Sequence, residues 1–167
     1  MKSDSLNKFG GLCSILVGAL YILVGATYVL LPPEQQIGGA ADAFYRSFAK
    51  SSTVNMINYW ALALTAVFAL GALPAITESV RSVNEGWARW TSNLAYLGFA
   101  VTAIDWFRNM ALQPARAAAY VAGDASVQAV LAAPTFGAIL DANGYLAFGG
   151  VGLWVLVTSL FAMRSKL

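Results

Sequence analysis

Four stretches of this chain are each more than 20 residues long and almost purely apolar, and three carry no charge at all. A helix needs about 20 mostly apolar residues to cross the hydrocarbon core of a bilayer. The runs fall at about 9–31, 54–76, 90–112 and 143–163, with Asp105 and Arg108 as the charges inside the third. In lipid only helices or closed barrels satisfy every backbone N–H and C=O. These runs are continuous, without the in–out alternation of a barrel strand, so the spacing predicts an all-α, integral membrane four-helix bundle. The whole chain, 1–167, reads as one four-span domain.

Composition agrees. Of the 167 residues, 59% are hydrophobic and 11% charged, where soluble domains carry about 25% charge. The first run follows Lys2 and Lys8, as a signal peptide would, but exceeds the apolar core of about 7–15 residues that cleavable signals have. It is read as a retained span.

Sidedness follows from the Lys/Arg bias. Lys2, Lys8, Arg81, Arg89, Arg164 and Lys166 share one side, and Arg46, Lys50 and Arg116 the other. Both termini are therefore expected in the cytoplasm, with Trp87 and Trp90 at the inner interface. The second loop makes a short charged turn in which Glu78 and Glu85 are expected to pair with Arg81 and Arg89. The two longer loops lie outside. In the first, Phe44 and Phe48 fall on one face of a short amphipathic helix expected in the outer headgroup region. In the third, Pro114 suits the first position of a helix ending at Gly123, and Asp124 can cap a second one.

Several functions are excluded. With no histidine and one cysteine, Cys13, the chain offers no His-ligated haem or zinc, no iron–sulfur ligand set and no dithiol chemistry. No lysine lies within a span, so there is no retinal Schiff base. A net charge of +2 without a basic cluster argues against nucleic acid. No Ser–His pairing, metal cluster or phosphate loop supports catalysis.

The polar residues within the spans are the candidates for function. Asp105 and Arg108, three apart on one helix, are neighbours on its surface, and Asn109 shares their turn. Asn55 and Asn58 open the second span at the same height, and Asp141 and Asn143 open the fourth. One reading is a ligand, ion or substrate site at the outer mouth of the bundle. The other is structural: Asp105 pairs with Arg108, the arginine snorkels outward, and the asparagines bond between helices. A second pattern is the small-residue stripe Gly11, Ser14, Gly18 and Gly25 on the first span, with Gly149 and Gly152 on the fourth. Such stripes let helices approach closely. They serve packing within the bundle, a partner helix in a hetero- or homo-oligomer, or a flat occupant such as a carotenoid, a quinone or bound lipid.

The stretch Leu140-Asp141-Ala142-Asn143-Gly144-Tyr145-Leu146-Ala147-Phe148-Gly149-Gly150-Val151-Gly152-Leu153-Trp154, with Gly18-Ala19-Leu20-Tyr21-Ile22-Leu23-Val24-Gly25, resembles uncharacterised bacterial multi-span proteins of unknown function. The resemblance implies the bacterial inner membrane and supplies no activity. The sequence thus leads to two expectations: a non-catalytic accessory or structural subunit of a larger membrane complex, or a small ligand-binding or transport protein with its site at Asp105.

Overall fold

The structure, a computed structural model, describes residues 2–36, 39–133, 141 and 144–165, and all regular structure among them is helical. Helix α1 (Lys2–Leu30) stops before Pro32-Pro33, where a 3-10 turn (Pro33–Gln35) redirects the chain into α2 (Ala41–Lys50). Helix α3 (Thr53–Val80) continues through Pro74, and a short turn leads to α4 (Glu85–Ala122). The Asn84 side chain caps α4 by accepting the Trp87 N–H at 3.1 Å. Helix α5 (Ala125–Ala132) follows, and a π-helical turn (Tyr145–Gly150) leads into α6 (Val151–Ser165).

Three segments, Asp4–Leu30, Thr53–Val80 and Tyr145–Ser165, are long and apolar enough to cross a membrane. Helix α4, the longest at 38 residues, does not reach that apolarity, because Asn93, Asp105, Arg108 and Asn109 interrupt its middle.

The expected break at Pro114 is absent, and α4 runs on to Ala122 with the proline inside it. Proline removes one helical hydrogen bond. The alanines around it (Ala111, Ala115, Ala117, Ala118 and Ala119) are the strongest helix formers and carry the helix past that gap. The second expected helix forms as α5. Its cap Asp124 accepts the Ser126 and Val127 N–H groups at 2.9 and 3.0 Å. Hydrogen bonds from the Ser126 hydroxyl and the Val127 N–H hold this carboxyl below the usual carboxylate range.

Helix α1 lies along α3, α3 packs on α4, and α4 packs on α6 and its π-helical turn. Small residues set the α1–α3 seam. A Cβ at Gly10 would run into Ala75, and one at Gly71 would stand 2.6 Å from the Cys13 sulfur. On the far side of α4, a Cβ at Gly98 would meet the Leu146 carbonyl, and one at Gly150 would lie 3.2 Å from the Leu94 carbonyl oxygen. Leu73, Ala95 and Trp154 form a core where α3, α4 and α6 meet. The charged turn forms as expected, with Arg81–Glu78 at 2.9 Å and Arg89–Glu85 at 2.7 Å.

The amphipathic helix α2 does not leave its apolar face for headgroups. Tyr45 and Phe48 are buried in a cluster with Ala117 and Tyr120 of α4. The rings of Tyr45 and Tyr120 stack at 4.8 Å. The Tyr45 hydroxyl donates to the Leu131 carbonyl at 3.2 Å, and the Tyr120 hydroxyl to Asp42 at 3.3 Å. Burial raises both phenols above their ordinary value, so they act as neutral donors. The result is a cap of α2 and α5 on the protruding end of α4.

Candidate ligand-binding cavity

Between α3, α4 and α6 lies a cavity of about 790 Å³, within the range of about 300–1,000 Å³ typical of small-molecule sites. Its apolar wall comes from Leu62 of α3, Phe99 and Trp106 of α4, Phe148 of the π-helical turn, and Val151 and Val155 of α6. Tyr21 of α1 stands at its edge. Helix α1 packs on α3 and makes no comparable contact with α6. Of the lining residues, Tyr21 of α1, Phe148 of the π-helical turn and Val155 of α6 are exposed.

The polar lining consists of Thr65, Thr102, Asp105, Asn109 and Asp141. Thr65 and Thr102 each donate their single O–H to the carbonyl four residues back, Ala61 and Gly98, at 2.8 Å. Each hydroxyl keeps only acceptor lone pairs. Asp141 uses one carboxylate oxygen to accept the Leu146 and Ala147 N–H groups at 2.9 and 2.8 Å, which caps the start of the last helix. Asp105 differs: its Oδ1 is buried and has no hydrogen-bond partner among the described residues.

The expected Asp105–Arg108 ion pair is not among the salt bridges of the described residues. Three residues apart on a helix are neighbours, but here Asp105 turns to the cavity and Arg108 does not line it. Asn109 joins Asp105 at the lining. Asn55 and Asn58 do not. Asn58 donates to the Val24 carbonyl at 3.0 Å and to the Thr27 hydroxyl oxygen at 2.8 Å, fastening α3 to α1. Asn55 donates to the Gln35 side chain at 3.2 Å. That glutamine in turn bonds Ser47 and the Ser51 carbonyl, so Asn55 ties down the segment between α1 and α3. Asn143 lies outside the described residues.

The glycine stripes also divide. Gly11, Gly18, Gly25, Gly149 and Gly152 all have open space where a Cβ would stand. Ser14, exposed, donates to the Gly10 carbonyl at 2.9 Å. Packing within the chain instead uses Gly10, Gly71, Gly98 and Gly150.

The sequence reading passed over Thr65, Thr102 and Phe148 as site residues. The two threonines were visible as hydroxyls in the apolar middle of their spans. The π-helical turn that lines the cavity with Gly144, Ala147 and Phe148 left no pattern to find. Such turns frequently occur at functional sites. Among the described residues no group of His, Cys, Asp and Glu side chains is placed to hold a metal ion.

A chain whose described residues are all helical in their regular structure, with three membrane-length apolar helices, belongs to the class of helical membrane proteins. Residues 15–167 match the model of a domain of unknown function, DUF4386, and the chain belongs to that family. No curated protein and no solved structure matches it.

Proposed function

We propose that this chain is a four-span protein of the bacterial inner membrane that binds, or carries, a small, mostly apolar molecule with a hydrogen-bond donor in the cavity at Asp105. The observation that carries the reading is the unpartnered Asp105 oxygen in the wall of a cavity of ligand size. A buried carboxylate oxygen without a donor is costly, and a bound molecule offering one relieves that cost.

Four crossings are supported by geometry as well as by pattern. The turn between α3 and α4 is short, and α4 packs along α3 and then against α6. If α3 crosses the bilayer, α4 must return through it. The excess of Lys and Arg around the termini and the second loop supports cytoplasmic termini.

The test is dye binding in phosphatidylcholine nanodiscs. N-phenyl-1-naphthylamine, neutral and apolar, should brighten in loaded discs beyond empty ones. Gly152 lines the cavity with open space around it, so Gly152→Trp should fill the space and weaken dye binding at least tenfold. Equal binding by the two proteins would refute the cavity as the site.

A second reading, an accessory subunit docked on other membrane helices, is supported by the open space at Gly11, Gly18 and Gly25. Gentle isolation from native membranes followed by mass spectrometry should then recover a protein partner, and a lone chain with no companion would argue against it.

A further inference from the structure

We infer that the occupant of this cavity is a lipophilic organic cation whose positive charge rests against Asp105; the inference builds on the binding reading above. Three features of the lining point to it. First, the fixed polar groups are mostly acceptors. Thr65 and Thr102 have committed their hydrogens to backbone carbonyls, and Asp105 and Asp141 are carboxylates, leaving among the described lining residues the Asn109 amide, the Trp106 indole N–H and the Tyr21 hydroxyl as side-chain donors. A ligand that donates hydrogen bonds meets more partners here than one that only accepts them.

Second, the charge is one-sided. Neither Lys nor Arg is among the residues lining the cavity, and no salt bridge joins Arg108 to Asp105. Asp141 is occupied in capping the last helix. Among the described residues one oxygen of Asp105 has no hydrogen-bond partner; Arg108 acts on this carboxyl only from beyond salt-bridge distance, so a cation in the cavity would be the first to touch it. Third, the remaining wall suits an organic cation better than a metal ion. Tyr21, Phe99, Trp106 and Phe148 line the cavity with aromatic rings, whose faces attract cations, and the exposed Tyr21, Phe148 and Val155 on apolar helices leave it open to an oil-soluble molecule.

The experiment compares two ions of nearly equal size and opposite charge, tetraphenylphosphonium and tetraphenylborate, in nanodiscs of zwitterionic phosphatidylcholine, each corrected for empty discs. The phosphonium should displace N-phenyl-1-naphthylamine at a concentration at least tenfold lower than the borate. Asp105→Asn, which keeps the shape and removes the charge, should lower the ratio of phosphonium to dye affinity at least tenfold. Gly152→Lys, placed where a side chain meets open space, should reverse the preference toward the borate, so the idea does not rest on one variant folding. Equal displacement by both ions, or an unchanged ratio in Asp105→Asn, overturns the cationic ligand and leaves the apolar cavity standing. Failure of the dye itself to bind overturns both.

Discussion

The two flanks of α1 differ sharply. Against α3 it is sewn tightly: Gly10 sits on Ala75, Cys13 fills the hollow over Gly71, and Asn58 reaches across to Val24 and Thr27. Toward α6 it makes no comparable contact, and Gly11, Gly18 and Gly25 face open space. Glycine is abundant on both flanks, so residue type does not decide where helices touch. A missing side chain permits close approach; the partner surface and the bonds across it decide whether the approach occurs.

Substitutions of equal size on the two flanks can break this contrast. Gly10→Ala forces a methyl group into Ala75 and, by the usual cost of overpacking, should destabilise the chain by about 1–3 kcal/mol in a mixed-micelle unfolding titration followed by circular dichroism. Asn58→Ala removes two bonds of the seam and should cost about 0.6 kcal/mol, the average for polar contacts between membrane helices, and at most about 1.7 kcal/mol. Gly18→Ala should have the smallest effect and the opposite sign, a gain of at most about 1 kcal/mol from helix propensity. A loss of stability at Gly18 comparable to that at Gly10 would mean that the open flank is covered in the purified protein.

Much of the architecture was legible before any coordinates. Three apolar helices, the amphipathic α2, the Asp124 cap and the two ion pairs around the turn between α3 and α4 follow from hydropathy, spacing and charge, all local properties. Rotation of a helix about its own axis is not local. The seven-residue stripe marked Gly11, and the seam uses Gly10; the stripe on the last span marked Gly149 and Gly152, and the contact uses Gly150. In each case the packed glycine is the immediate neighbour of one in the pattern, because periodicity finds a face without naming what lies opposite.

The candidate site was partly legible for the same reason. Asp105 and Asn109, expected on one turn, share the cavity wall. Arg108 was grouped with them by proximity along the helix, yet the cavity takes one side of that turn only. Asn55 and Asn58 stood at the right height, but loop and helix contacts far away in sequence, at Gln35, Val24 and Thr27, claimed their side chains. No spacing rule anticipates such pairings.

The unbroken length of α4 has a mechanical consequence. At 1.5 Å per residue its 38 residues make a rod about 57 Å long, nearly twice the thickness of the oily layer. The rod carries Asp105 and Trp106 partway along and Tyr120 near its tip, where α2 and α5 grip it. A push or twist delivered to that grip would be felt as leverage at the cavity, with Pro114 lying between the two.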